Sequence, residues 1–234
     1  INDNFIGVEI PSFRADILHE IDLVEDVSIG YGYDKFETSL PKSLTFGKML
    51  EDENFKKNLR NIMIGLGFNE VTTFTISNKK DEFEKLGLKE KEIAEIKNPI
   101  GEEYSCLRNN LLSSLLKILR ENRHHSLPQD IFEVGKIVNE NFENKDQLGF
   151  VKISAKANFT ECKSIIDAIF REIGVTYNIK NYDHPAFVKG RCAAVLYKAK
   201  KIGYFGELHP KTITNFTLEH PVIAGTINLN FLSF

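Results

Sequence analysis

The segment Ala193-Ala194-Val195-Leu196-Tyr197-Lys198-Ala199-Lys200-Lys201-Ile202-Gly203-Tyr204-Phe205-Gly206-Glu207 is the clearest guide to the fold class. Its apolar runs, Ala193–Ala199 and Lys201–Glu207, predict two β-strands, because each is rich in residues that suit a half-buried sheet. The two strands meet at the short lysine-rich stretch Lys198-Ala199-Lys200-Lys201. So short a link favours a hairpin, which pairs its strands in antiparallel fashion.

Further strands are predicted along the chain, and in its second half strands outnumber helices and short links join neighbouring strands. The predicted strands are Val71–Ile76, Ala94–Lys97, Ile131–Val138, Leu148–Ala155, Tyr177–Lys180 and Val222–Phe231. The predicted helices are Asn54–Gly65, Lys79–Leu86, Leu111–Asn122, Thr160–Ile173 with Thr160 as its N-cap, and Pro210–Asn215. This pattern predicts an α+β fold with a mostly antiparallel sheet flanked by helices.

The helix predicted at Leu111–Asn122 has an unusually broad apolar face of six leucine and isoleucine side chains. Such a face is compatible with ordinary burial inside its own domain or with packing against another chain. The sequence leaves both interpretations open.

The first forty residues have a different character. Phe5–Ile10 predicts a strand, and Arg14–Val27 predicts an amphipathic helix with one buried apolar stripe. The polar passage Thr38–Lys48, with Pro41 and Gly47, is interpreted as a linker. We therefore expect two domains, residues 1–40 and 41–234. Because the sequence does not begin with methionine, we also expect it to be part of a longer chain.

The predicted N-terminal helix is strongly acidic. Asp22, Glu25 and Asp26 have the i, i+3, i+4 spacing that brings three carboxylates to one helical face, and Asp16 lies near the expected helix start. One interpretation is a solvated face with Asp16 as the N-cap. The other is a magnesium site, since carboxylate oxygens suit this ion, held by one or two of these groups together with water or a partner chain.

Composition excludes several classes of protein. The 234 residues carry a formal net charge of −3, which gives no overall basic field for nucleic acid. Three widely spaced cysteines, Cys106, Cys162 and Cys192, suit a reducing cytosol and argue against a disulfide framework or a zinc ribbon. His184, His209 and His220, with Cys192 and Glu207, show no zinc-site spacing. Neither a nucleophile elbow nor a P-loop is present.

Several segments together resemble one known family. The N-terminal ones are Ile10-Pro11-Ser12-Phe13-Arg14-x-Asp16-Ile17, Asp22–Val27 and Tyr31–Asp34. The later ones are Gly67–Val71, Asn98–Ile100, Leu107–Leu112, Leu115-Leu116, Ile131–Gly135, Gly190-Arg191 and Ile202-Gly203-x-x-Gly206–Pro210. The first group resembles the end of the B5 domain of phenylalanyl-tRNA synthetase beta subunits, and the second resembles their catalytic-like core. The whole chain is similar to the C-terminal part of the archaeal and eukaryotic type.

The resemblance implies a partner, a reaction and a metal. Family members form α2β2 enzymes with an alpha subunit that carries the active site and joins phenylalanine to tRNA(Phe) using ATP. The beta subunit is implied to contain a degenerate class II synthetase fold, preceded by a winged-helix-like B5 domain. The resemblance also assigns Mg²⁺, shared with the alpha subunit, to Asp16, Asp22, Glu25 and Asp26.

The resemblance further implies that this copy of the fold is not catalytic. Class II chemistry needs arginines that bind the ATP phosphates, because a planar guanidinium matches phosphate oxygens. Asn139 stands where the first arginine is expected, and no arginine follows Arg191. We therefore assign no catalytic residue and expect a structural core, with Leu111–Asn122 and Asn54–Gly65 as candidate interface helices for the alpha subunit.

Two other functions remain open at this point. The chain could be a stand-alone synthetase-like paralogue that binds a small molecule or a nucleotide through Arg108, Glu133, Arg191 and Glu207. It could also contact tRNA directly through a modest basic cluster at one helix end, formed by Lys117, Arg120, Arg123, His124 and His125. Ordinary solvated charge is the favoured interpretation of that cluster.

Overall fold

The computed structural model describes residues 5–40, 42 and 45–232, and it divides the chain into two compact units, Ile1–Lys48 and Met49–Phe234. The sequence placed the boundary after residue 40 instead. Of the predicted linker, the described residues lie in no helix or strand, whereas Pro41, Ser43 and Leu44 lie outside the described residues.

The second unit contains four α-helices and nine strands within its described residues. The helices are α2 (Glu51–Gly65), α3 (Leu112–Glu121), α4 (Phe159–Glu172) and α5 (Pro210–Asn215). The strands are β1 (Asn69–Glu70), β2 (Ile76–Ser77), β3 (Cys106–Leu107), β4 (Gln129–Val138), β5 (Asn144–Ile153), β6 (Asn178–Asn181), β7 (Phe187–Tyr197), β8 (Lys200–Leu208) and β9 (Val222–Asn228). The first unit contains one α-helix, α1 (Glu20–Tyr31), in the part described.

Seven strands form the main sheet in the order β1-β4-β5-β9-β8-β7-β6, and β2 pairs with β3 separately. Every neighbouring pair of the main sheet is antiparallel except β1 and β4. The predicted α+β class, with a mostly antiparallel sheet flanked by helices, is therefore confirmed. The predicted hairpin is also present, because Tyr197 pairs with Lys200 across a two-residue turn.

Helices cover both faces of this sheet. Leu59 and Met63 of α2 and Ile166 and Phe170 of α4 share one core with Phe150. On the opposite face, α3 and the segment around Phe216 after α5 pack on a second set of strand residues that includes Val151 and Ala224. Since neighbouring residues of a strand point to opposite faces, Phe150 and Val151 belong to different cores.

A glycine allows α3 to lie close to the sheet. A Cβ atom at Gly149 would lie 2.7 Å from the Cβ of Leu111, a separation too short for two carbon atoms. The apolar side chains Leu111, Leu112, Leu115 and Leu116 are each at most 1% exposed. Burial within its own unit therefore accounts for the broad apolar face of this helix.

Several short elements differ from the sequence prediction. Residues 6–10 form no strand, residues 71–75 are irregular, and Glu95 forms only an isolated bridge with Cys106. The predicted helix at Lys79–Leu86 is a single π-helical turn, Lys80–Glu84, and Asn158 rather than Thr160 caps α4. Outside residues 6–10, polar side chains in these segments bind backbone groups or distant residues, as Thr73 binds Glu133 and Asn158 binds the N–H of Glu161, and propensity alone does not encode such contacts.

The described residues contain no helix that is both long and apolar enough to cross a membrane. Cys106, Cys162 and Cys192 are all buried free thiols.

Candidate functional site

The acidic segment begins its helix later than the sequence suggested. The N-cap of α1 is His19, whose Nδ1 accepts a hydrogen bond from the backbone N–H of Ile21 at 3.2 Å. Asp22 completes a capping box, since its Oδ2 accepts hydrogen bonds from the N–H groups of Leu18 at 2.9 Å and His19 at 2.8 Å. These two donors lower the pKa of Asp22. The interpretation of Asp16 as N-cap is therefore wrong.

Asp16 is instead paired with an arginine that precedes the helix. Arg14 Nη2 lies 2.8 Å from Asp16 Oδ2 and 2.9 Å from Asp26 Oδ2, and Arg14 Nε also donates to Asp16. The side chains of Arg14, Asp16 and Asp26 are 37%, 64% and 43% exposed. Hydrogen bonding to Arg14 is the main cause of a lowered pKa at Asp16. One guanidinium thus connects the approach to the helix with its second turn.

The four predicted magnesium ligands do not form a common coordination sphere. No group of three or more His, Cys, Asp or Glu side chains in the described part of the chain is arranged to hold a metal ion. Asp16 and Asp26 share Arg14, Asp22 caps the helix, and Glu25 is exposed. The donor set therefore does not fit Mg²⁺ in this arrangement, and the assignment to these four residues stays a prediction. Likewise, no three of the described residues His184, His209, His220, Cys192 and Glu207 are arranged to hold an ion.

The apolar stripe predicted for this helix exists, but it is not buried. Ile21, Val24 and Val27 are 61%, 55% and 71% exposed, and no residue of α1 is buried. Within the described part of the Ile1–Lys48 unit, only the single 3₁₀ turn Tyr33–Lys35 accompanies α1, so no second element covers the stripe. The prediction of a buried stripe is therefore wrong for this unit.

The second unit contains a deeply buried polar cluster. Arg108 and Glu133 are 2% and 3% exposed, and Arg108 Nη2 lies 2.7 Å from Glu133 Oε1. The Thr73 hydroxyl donates to Glu133 Oε2 and accepts from Arg108 Nη1, while Arg108 Nε donates to the carbonyl oxygen of Lys136 at 2.9 Å. A Cβ at Gly135 would lie 2.6 Å from Arg108 Nη2 and from Glu133 Oε1, so a larger residue there would displace this ion pair.

Arg191 and Glu207 form a separate ion pair. Arg191 Nη1 lies 2.6 Å from Glu207 Oε2, and the other oxygen of Glu207 accepts the backbone N–H of Phe159 at the start of α4. Both residues line an open groove of about 540 Å³, but neither Arg108 nor Glu133 lines it. The four polar groups predicted for a vestigial pocket are therefore divided between two places, and each carboxylate is already paired.

Asn139 performs a local structural task in the turn between β4 and β5. Its Oδ1 accepts the N–H groups of Asn141 at 3.0 Å and Glu143 at 2.9 Å, and its Nδ2 donates to the carboxylate of Glu143. The side chain at the position where an arginine was expected is thus committed to its own turn.

The predicted basic cluster is also divided. Lys117 and Arg120 line a groove of about 500 Å³, where Lys117 pairs with Asp81 at 3.1 Å. Arg123, His124 and His125 line another groove, of about 450 Å³, beside Leu218 and His220. The five residues therefore line two different grooves, and Lys117 is already paired with a carboxylate.

Sequence reasoning did not anticipate the surroundings of two titratable groups, the buried Glu82 and the partly buried His184. Glu82 is 0% exposed, and it accepts hydrogen bonds from the Ser113 hydroxyl and from the backbone N–H of Asn109. Burial raises the pKa of Glu82. His184 stacks on Tyr204 with ring centroids 4.7 Å apart, and burial lowers its pKa to about 4. Glu82 lies in the charged run Lys-Lys-Asp-Glu-Phe-Glu, which gives no sign that one carboxylate is buried.

Comparison with known proteins identifies the family. The model of the phenylalanyl tRNA synthetase beta chain CLM domain matches residues 36–229, and that of the tRNA synthetase B5 domain matches residues 1–33. The chain belongs to the phenylalanyl-tRNA synthetase beta chain family. The boundary between these two family domains lies near residue 35, and the predicted family segments fall within their expected domains except for Asp34, one residue beyond the B5 match.

Individual members of this family are similar over nearly the whole chain. A phenylalanine–tRNA ligase beta subunit of Methanococcus maripaludis is 43% identical over 97% of this chain, which corresponds to 43% of that relative. Beta subunits of Methanocaldococcus jannaschii and Methanosarcina barkeri are 41% and 40% identical over 95% and 99% of this chain, and these matches cover 42% and 43% of the two relatives. The chain thus spans about two fifths of these relatives.

Proposed function

We propose that this chain is the non-catalytic core of a phenylalanine–tRNA ligase beta subunit. In this proposal it supports an alpha subunit in an α2β2 enzyme that charges tRNA(Phe) with phenylalanine at the expense of ATP. Its second unit corresponds to a degenerate class II synthetase core, and its first unit to the end of a B5 domain of the winged-helix kind. ATP and Mg²⁺ belong to the assembled enzyme, and the complex contacts tRNA and acts in the cytoplasm.

The observation that carries the proposal is that the main sheet is covered by helices and its buried arginine is already paired. Helices cover both of its faces, and α3 lies directly on β5 with its leucines buried. The buried arginine of the core, Arg108, is bound by Glu133, Thr73 and a backbone carbonyl. A guanidinium held in this way is not available to a nucleotide phosphate, since its donors are already used.

The rival proposal of a stand-alone paralogue with a nucleotide pocket lacks this kind of support. Its four polar residues lie in two separate ion pairs, and Glu207 also fixes the start of α4. We therefore do not adopt it. The corresponding expectation is that the chain alone catalyses no phenylalanine-dependent exchange between ATP and pyrophosphate.

The docking surface for the alpha subunit needs a different location from the one that the sequence suggested. Helix α3 has no exposed apolar face, and on α2 only Ile64 is a well-exposed apolar side chain at 55%. An apolar patch lies instead beside β2 and β3, where Phe74 is 77% exposed, Tyr104 is 42% exposed, and their rings are 6.2 Å apart. Ile76, two residues after Phe74, is 37% exposed, and Ile100, four residues before Tyr104, is fully exposed. Exposed apolar patches mark protein interfaces.

Co-purification with a folded alpha subunit tests this proposal. The wild-type chain is expected to bind, and the double variant Phe74→Ser/Tyr104→Ser is expected to bind at least about tenfold more weakly, because removal of two aromatic contacts costs about 1–2 kcal/mol or more. Ile179→Ser is the matched control, since Ile179 is 42% exposed on β6, at the opposite edge of the main sheet from β1 and β4.

The two parts of the proposal can fail separately. Equal binding by the wild type and the double variant would reject the Phe74–Tyr104 patch as the docking surface. Failure of the wild-type chain to bind a folded alpha subunit, or measurable ATP–pyrophosphate exchange by the chain alone, would reject the beta-subunit core function itself.

A further inference from the structure

We infer that Arg14 is the resident counter-cation of the acidic N-terminal helix, so that Mg²⁺ can bind Asp16 and Asp26 only after this guanidinium is displaced. The inference concerns the Ile1–Lys48 unit alone and does not depend on the proposed docking surface. It follows from the disagreement between the family-type magnesium assignment and the side-chain geometry of this chain.

The geometry places one nitrogen atom against both carboxylates. Arg14 Nη2 is 2.8 Å from Asp16 Oδ2 and 2.9 Å from Asp26 Oδ2. Arg14 Nε adds bonds of 3.0 and 3.1 Å to the two oxygens of Asp16. The guanidinium therefore occupies the point from which an ion could reach both side chains. A forked, bidentate contact of this kind is the strongest that a carboxylate makes with a protein cation.

The other two acidic residues do not offer an alternative centre. Oδ2 of Asp22 already accepts two backbone N–H groups at 2.8 and 2.9 Å, which would otherwise lack partners at the first turn of the helix. Glu25 is exposed, and a single exposed carboxylate binds Mg²⁺ only weakly, since this ion is strongly hydrated. Asp16 and Asp26 are thus a pair of carboxylates that one shared cation already brings together, and that cation is Arg14.

The inference makes a directional prediction about metal affinity. Replacement of Arg14 by a neutral residue removes one positive charge at hydrogen-bond distance from the two carboxylates and frees their oxygens. A unit charge at this distance in a solvent-exposed setting changes the affinity for a divalent ion by about tenfold. Arg14→Gln is therefore expected to bind Mg²⁺ about tenfold more tightly than the wild-type chain.

The experiment is a titration with MgCl₂ followed by ¹H–¹⁵N NMR of the α1 backbone amides, at an ionic strength held constant with NaCl. Arg171→Gln serves as the matched control, because Arg171 is 74% exposed on α4 and pairs with the adjacent Glu172. It changes the net charge by the same amount as Arg14→Gln, and its midpoint is expected to stay within about twofold of the wild type. Unchanged α1 signals before addition of metal establish that Arg14→Gln keeps the helix.

A second measurement uses the unaltered chain. The Nε–H signal of Arg14 should shift together with the α1 amides as Mg²⁺ is added, because the ion and the guanidinium compete for the same oxygens. Equal midpoints for the wild type and Arg14→Gln, including no binding by either, would overturn the inference. Movement of the wild-type α1 amide signals without movement of the Arg14 Nε–H signal would also overturn it. The same conclusion would follow if the Arg14→Gln variant loses the helix and the wild-type chain binds Mg²⁺ without a shift of the Arg14 Nε–H signal.

Discussion

At the scale of single residues, the second unit contains a charged pair that is almost fully buried. Arg108 and Glu133 neutralise each other beneath α3, and Thr73 and the carbonyl of Lys136 satisfy further donors and acceptors. Such a pair contributes little relative to well-packed apolar side chains. Loss of one partner is costly, however, because it leaves an uncompensated charge in the interior.

We therefore expect Arg108→Gln to lower the free energy of unfolding by about 3–5 kcal/mol, as measured by urea denaturation. Arg191→Gln removes an arginine from the Arg191–Glu207 pair, in which the arginine is 61% exposed, and is expected to cost no more than about 1 kcal/mol. Similar losses for the two variants would show that burial of the Arg108–Glu133 pair has no special consequence.

A histidine gives the second unit a defined dependence on pH. His184 packs among Tyr204, Phe187 and Tyr182, close to the ammonium of Lys201, and its Nδ1 accepts the backbone N–H of Ala186. Burial, followed by the nearby charge of Lys201, lowers its pKa from 6.5 to about 4. Between these two values the unfolded chain binds a proton that the folded chain does not, so this contribution to stability is present above pH 6.5 and decreases as the pH falls towards 4.

The expected size of this effect is about 2 kcal/mol lost between pH 7 and pH 5. It is measured as the difference between the urea-denaturation profiles of the wild type and His184→Phe over this range. The variant keeps an aromatic ring but has no group to titrate at this position, so its stability should fall less steeply with acidification. Parallel profiles for the two proteins would contradict the prediction.

At the scale of elements, the hairpin of β7 and β8 contains a local conflict between sequence and conformation. Its two turn residues, Lys198 and Ala199, both have positive φ angles, of 48° and 62°. This left-handed conformation costs an L-residue other than glycine or asparagine about 1–2 kcal/mol, and glycine avoids it at a smaller entropic cost.

Ala199→Gly is accordingly expected to raise the free energy of unfolding by about 0.5–1 kcal/mol in thermal or urea denaturation. Ala155→Gly is the matched control, because Ala155 lies in an exposed turn and is not among the described residues with positive φ. Glycine there should be neutral or destabilising. An equal gain at both positions would mean that the strained turn is not the cause.

The sequence predicted long elements well and short ones poorly, for a physical reason. Helices α2, α3 and α4 bury an apolar face whose period is visible along the chain, and their limits agree with the prediction to within a few residues. The irregular segment 71–75, in contrast, is shaped by Thr73, which is bonded to Glu133, 60 positions away. Contacts of this range leave no periodic signal, and the same holds for buried Glu82 and for the Arg14 bridge to Asp26.

At the scale of the whole molecule, residue patterns indicated the fold class and the family, but not the arrangement of the strands. The parallel pair of β1 and β4 and the position of β9 between β5 and β8 depend on which distant segments meet. The acidic face of α1 was recognisable from the sequence, whereas the pairing of its carboxylates with the Arg14 guanidinium was not. Arg14 lies in the quoted motif, yet its partners became evident only when loop and helix were positioned together.

The central position of β9 has a consequence for biosynthesis. This strand follows all the others in the chain, yet it bridges the β4–β5 hairpin and the β6–β7–β8 meander. During translation, the edges of β5 and β8 remain unpaired until Val222–Asn228 has left the ribosomal tunnel, because β9 is the strand that pairs with both. Nascent chains of this kind are therefore open to mispairing and to chaperone capture until their synthesis reaches that strand.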